Sequence, residues 1–142
     1  MDYIKYLLRI NSAFCKDSKI RTTNTNYLNI IEDAYNDAIV SDDYETVFNK
    51  AIYVAALIKL YQPFYDGNNR TALAVYNDII TKKGYYFNYD QAANDMKNKK
   101  LIIPTIYEAD DKISNVSDWK FYSKENENNT KIDYVYKYTY VD

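Results

Sequence analysis

Strong backbone breakers are scarce in this 142-residue chain: two glycines, Gly67 and Gly84, and two prolines, Pro63 and Pro104. So few interruptions favour long helices, and the breakers mark where those helices stop. After Ser41 the sequence carries Val47, Phe48, Ala51, Ile52, Val54, Ala55, Leu57 and Ile58. Apolar residues on several sides of one helix predict a central, buried element. Asp42 with Glu45 three residues on fits a capping box at its start. Pro63 ends it, because proline disfavours helical geometry in the residue before it. The next helix is expected from about Asn69 to Lys83. Ala72, Leu73, Val75, Tyr76, Ile79 and Ile80 supply its inner face, and Gly84 closes it.

Residues 3 to 14 read as a helix capped by Asp2, with Ile4, Leu7, Leu8 and Phe14 near one face. Residues 15 to 24 carry no period and read as a loop. From about Asn26 to Val40, Leu28, Ile31, Tyr35, Ala38 and Ile39 recur at helical spacing. Asp90 to Lys100 reads as a short polar helix, and Leu101-Ile102-Ile103 as an apolar run stopped by Pro104. From Trp119 the period changes to two, and Ile132, Tyr134, Tyr136, Tyr138 and Tyr140 share one face. That pattern predicts a β-hairpin over about 118–142, which must pack on the helices or pair with a partner. The expectation is therefore one mainly α domain over residues 1–142, with core helices at about 43–84 and a C-terminal hairpin.

Composition removes several chemistries. The chain has no histidine, which excludes a Ser-His-Asp or Cys-His relay, a histidine-ligated zinc and a histidine base. Its one cysteine, Cys15, allows no intrachain disulfide. With 18 Lys+Arg against 20 Asp+Glu, bulk charge does not favour nucleic acid. No apolar run reaches the roughly 18 residues of a membrane span, and no signal peptide is recognisable. The expected location is the cytoplasm, or a host cytosol reached without a recognisable signal. The 18 tyrosines, alongside abundant Asn, Lys and Ile, fit codon bias in an AT-rich genome better than a binding surface.

The informative stretch is Gln62-Pro63-Phe64-Tyr65-Asp66-Gly67-Asn68-Asn69-Arg70, between two apolar helices. Gly67, Asn68 and Asn69 lead into a helix, so their N–H groups lack helical partners and carry the positive end of its dipole. Such a turn suits phosphate. Arg70 adds a fork of donors, and Asp66 supplies a carboxylate for Mg²⁺ bridging phosphates. Phe64 and Pro63 would anchor the loop from below. The same residues also fit an ordinary helix–loop–helix corner in which Asp66-Gly67 turns and an asparagine caps.

Gln62 to Ala72, Gln-Pro-Phe-Tyr-Asp-Gly-Asn-Asn-Arg-Thr-Ala, resembles the signature His-x-Phe-x-[Asp/Glu]-[Gly/Ala]-Asn-[Gly/Lys]-Arg of the Fic/Doc (Fido) proteins. The Doc branch continues Thr-Ala-Leu, as residues 71–73 do. With the flanking helices the resemblance covers a quarter to a third of the chain. It implies a mostly helical domain whose loop and helix N-terminus hold a nucleotide. Fic members transfer AMP from ATP to a protein hydroxyl, and Doc transfers the terminal phosphate. By position, the resemblance makes Asp66 the Mg²⁺ ligand and Gly67, Asn68 and Asn69 the anion hole. It sets Arg70 on a distal phosphate and Phe64 in the core. ATP and Mg²⁺ are the implied cofactors, and a protein target or antitoxin-like regulator the implied partner.

Two departures reshape that expectation. The family's catalytic histidine falls on Gln62, and glutamine cannot act as a general base near neutral pH. Asp66, Glu45 and Glu32 are the candidate stand-ins. Asn69 replaces the Gly of the AMP-transferring members and the Lys of Doc, and it crowds the anion hole. The expectation is a degenerate Fic/Doc-like domain with a phosphate- or nucleotide-binding loop and lost or weakened AMP transfer. An active Doc-like toxin-type transferase with another base and a non-catalytic protein-binding module are the alternatives.

Overall fold

The axis of the molecule is α3 (Tyr44–Tyr61), whose Val47, Phe48, Ala51, Ile52 and Val54 to Ile58 are all buried. A helix this apolar is stable only when neighbours cover it on several sides. Here α2 (Asn26–Val40), α4 (Asn68–Lys82) and α6 (Ile106–Asp110) pack against it. Two further helices lie against α4: α1 (Tyr3–Ser12) and α5 (Tyr89–Lys97). The computed structural model describes residues 2–21 and 26–110. Among these the architecture is mainly helical, as expected. The hairpin expected over about 118–142 lies outside the described residues. No helix among the described residues is long and apolar enough to cross a membrane.

Local chemistry sets the helix ends. Asp2 accepts from Lys5 N at 3.2 Å and caps α1. The cap of α3 is Asp43, not Asp42. Its Oδ2 accepts from both the amide and the hydroxyl of Thr46, at 3.1 and 3.0 Å, which the Asp42–Glu45 pairing does not match. At the end of α4, Gly84 has φ 84°, its N–H donates to Thr81 and that of Tyr85 to Ile80. That is a Schellman motif, with glycine at the left-handed position. Two elements differ from expectation. The five-residue α6 follows Pro104, and the loop before residue 22 forms an antiparallel bridge between Ile20 and Phe64.

α1 is fastened to α2 and α4 by a tyrosine cluster. Tyr3, Tyr6 and Tyr35 have ring centroids 5.3 to 5.4 Å apart. The Tyr6 hydroxyl donates to Asp78 Oδ2 at 2.6 Å, and Lys82 Nζ donates to Tyr35 Oη at 2.7 Å. Burial, then the hydrogen bond to Asp78, pushes the Tyr6 hydroxyl well above its ordinary range, and burial chiefly does the same for Tyr3. This cluster joins the first half of α1 to the last half of α4.

Candidate functional site

The chain leaves α3 through Gln62, whose φ of 50° and ψ of 59° are left-handed. For an L residue this costs about 1–2 kcal/mol. The turn is held from within: the Gln62 amide donates to Ile58 O at 3.0 Å, and its side-chain Nε2 donates to Lys59 O at 2.8 Å. It is also held from outside. Arg21 donates its N–H to Pro63 O at 2.8 Å and its Nε to Gln62 O at 3.0 Å. Phe64, 1 % exposed, drops into the core.

Asn68 ties this loop to the helix that follows. Its side chain is 5 % exposed. Oδ1 accepts from Phe64 N at 2.9 Å, while Nδ2 donates to Phe64 O at 2.9 Å and to Gln62 Oε1 at 3.1 Å. The carboxamide thus imitates a strand partner for Phe64. It faces inward, so what Asn68 offers an anion is its main-chain amide.

Gly67 occupies the N-cap position of α4 with φ 75°, and no side chain caps the helix. A Cβ there would stand 2.6 Å from Cys15 Sγ and 3.0 Å from Asn11 Nδ2, so both space and conformation call for glycine. The opening amides of an α-helix have no acceptor within it. Those of Asn68, Asn69 and Arg70 begin α4 beside a cavity of about 280 Å³ lined by Gln62, Tyr65, Asp66, Gly67, Asn68, Asn69 and Arg70.

Two charges stand at its lip. Asp66 Oδ1 accepts from Gly67 N at 2.8 Å, and Oδ2 lies 3.6 Å from Arg70 Nη2. Arg70 lies over the Phe14 ring at 5.7 Å and within 3.9 Å of Cys15 Sγ. The Arg70 side chain is half exposed and that of Asp66 largely so, so their mutual attraction is weak and they remain free to exchange partners. Among the described residues no group of three or more His, Cys, Asp or Glu gathers. One exposed carboxylate fits Mg²⁺ arriving with phosphate oxygens and water, and does not make a protein cage.

Six of the seven residues singled out from the motif, Gln62, Asp66, Gly67, Asn68, Asn69 and Arg70, line this cavity, and Phe64 is buried in the core. Of the stand-in bases, only Asp66 lines the cavity. Glu45 lies in the first turn of α3, roughly 25 Å along the helix from Gln62. Glu32 lies on α2, near enough to Tyr3 to raise its hydroxyl's pKa. Three residues absent from the motif reading also build the site: Asn11, Phe14 and Cys15. Asn11 had a legible signal, a polar residue continuing the Tyr3–Leu7 stripe at a spacing of four.

A second cavity, about 240 Å³, shares Asn69 and adds Lys59, Met96, Lys99, Leu101, Ile102 and Ile103. The larger cavity of about 610 Å³ lies elsewhere, lined among the described residues by side chains of α2, α3 and α6, including Ala34, Tyr53 and Ala109. It contains none of the loop residues, and its size alone does not make it the chemical site. No protein-family model matches the chain, and neither a curated protein nor a solved structure matches it.

Proposed function

We propose that the Gln62–Arg70 loop is a phosphate- and nucleotide-binding site on a degenerate Fic/Doc-like domain. In this reading the site holds ATP with Mg²⁺ and has lost conventional AMP transfer. The observation that carries it is the uncapped opening of α4 facing a polar cavity, with Asp66 and Arg70 at the lip. The amides of Asn68 to Arg70 would donate to phosphate oxygens, and Arg70 would leave Asp66 for a second phosphate. Asp66 would then turn its carboxylate to Mg²⁺, which when bound supplies charge neutralisation of the phosphates.

Gln62 supports the loss of transfer in two ways. Glutamine takes no proton near neutral pH, and both ends of its carboxamide are already engaged, by Lys59 O and by Asn68 Nδ2. Loss of a general base lowers rate by about 10²- to 10⁴-fold. A domain of this kind serves as a binding or regulatory module, and a protein target or an antitoxin-like partner belongs to the same reading. The toxin-type transferase, using ATP and Mg²⁺ with another base, is the second reading; Asp66, the carboxylate at the cavity, fills that role only where it holds no metal.

An NMR titration with ATP and Mg²⁺, followed by incubation of the protein with α- and γ-labelled ATP and a cell lysate, tests both. Shifts at Gly67 to Arg70 without label on any protein are the expected result. Label transferred by the wild-type chain selects the transferase. No shift with either nucleotide or inorganic phosphate overturns the site.

A further inference from the structure

Among the described residues the buried polar side chains are Asn11, Asn68 and Thr71, and each is hydrogen-bonded within this one loop or to the segment that backs it. Apolar residues of similar volume would fill the same space without needing partners. What the hydrogen-bonded Asn11–Thr71 pair adds is orientation. Asn11, 1 % exposed, holds two groups at once: Nδ2 donates to Asp66 O at 2.9 Å and to Thr71 Oγ1 at 3.1 Å.

The bond to Asp66 has a geometric consequence. In a trans peptide the C=O and the N–H point in opposite directions. The chain has no cis peptide bond among its described residues. Holding the Asp66 carbonyl inward, against Asn11, therefore turns the Gly67 N–H outward to the side where the Asp66 carboxylate and the cavity lie. Thr71, one turn into α4, is held by the same amide, so the helix start and the preceding peptide are fixed together. Glycine at 67 would otherwise let that peptide flip freely.

We propose that Asn11 is the positioning residue of the anion site, acting through the Asp66–Gly67 peptide rather than by touching the ligand. This rests on the phosphate-binding reading above. The test is an NMR titration of the full chain with inorganic pyrophosphate and Mg²⁺, comparing wild type with Asn11→Asp, Asn11→Ala and Thr71→Val. Asn11→Asp keeps the shape and deletes the donor. Both Asn11 variants are expected to need at least about tenfold more pyrophosphate to saturate the Gly67–Arg70 shifts, as for other residues that orient a binding group. Thr71→Val, which leaves the Asp66 bond intact, is expected to stay within about threefold. Within the wild-type chain, slowly exchanging Asn11 side-chain protons with contacts to Gly67 are expected. This last measurement stands even if neither Asn11 variant folds. A folded Asn11 variant that binds pyrophosphate as wild type does, or fast-exchanging Asn11 protons in wild type, overturns the assignment. Absence of any pyrophosphate shift in wild type instead overturns the phosphate-binding reading itself.

Discussion

Asn68 Nδ2 donates to Gln62 Oε1 at 3.1 Å, so the residue standing where the Fic/Doc pattern has its base is bound to the first residue of α4. With Gln62 Nε2 on Lys59 O, the side chain closes the turn that it occupies. Glutamine at this position is a structural bracket for the loop.

Gln62→His separates the bracket from the chemistry. An imidazole returns a proton acceptor and gives up the two carboxamide bonds. Transfer of label from α- or γ-labelled ATP to protein is expected to rise at least about 10²-fold over wild type. Stability is expected to fall by about 1–2 kcal/mol, read by urea denaturation. If the variant binds ATP yet transfers neither label, the loop does not place phosphate for attack.

Gly67→Ala tests the tight approach of the turn that follows α1. The left-handed φ costs a Cβ-bearing residue about 1–2 kcal/mol, and the 2.6 Å approach to Cys15 Sγ adds overpacking of about 1–3 kcal/mol. Adding Cys15→Ala is expected to recover most of the second part and none of the first. Equal stability of the single and double variants would show that the thiol moves aside without cost.

Asn68 and Asn69 are neighbours with opposite roles. Asn68→Ala strands the N–H and C=O of buried Phe64 and is expected to cost about 2–4 kcal/mol in denaturant titrations. Asn69→Ala, on an exposed side chain, is expected to stay within about 0.5 kcal/mol. A comparable loss in both would contradict the strand-like role of Asn68.

Alkaline pH should loosen the attachment of α1. The Tyr6 and Tyr3 hydroxyls are held well above the ordinary value of 10.0, by burial first and, for Tyr6, then by Asp78. A raised folded pKa contributes stability that is complete below pH 10 and is lost as pH climbs from there, because the unfolded chain ionises first. Each tyrosine is expected to remove about 1.4 kcal/mol per pH unit above 10. Tyr6→Phe should be less stable than wild type at pH 8, for loss of its bond to Asp78, and show a shallower alkaline decline. Parallel declines in the two proteins would exclude Tyr6 as a source.

The helices were legible wherever spacing and breakers agreed. The apolar faces of α2, α3 and α4 and the glycine at 84 are local facts, and the position of the loop between α3 and α4 is marked by Pro63 and Gly67. What could not be read depended on choice or distance. Asp42 and Asp43 both suit a cap, and the choice fell to Thr46, whose amide and hydroxyl reach the same oxygen. Five residues after Pro104 are too few to show a helical period. Ile20 paired with Phe64, and Asn11 with Asp66, across 44 and 55 residues of chain, and neither carries a local sign of its partner. The inward turn of Asn68 was hidden for a related reason: its three bonds exist only once Gln62 and Phe64 are placed.

The bonds that join α1 to the rest of the molecule reach far along the chain, Tyr6 to Asp78 across 72 residues and Asn11 to Thr71 across 60. The neighbours α3 and α4 need no such reach, being consecutive. A partial opening that detaches the N-terminal helix would thus leave the central pair standing while removing the floor from under Gly67. Amide protection at Thr71, whose N–H donates to Gly67 O, would then report the free energy of that detachment rather than of global unfolding, and a competent pocket would persist only as long as the first helix stays docked.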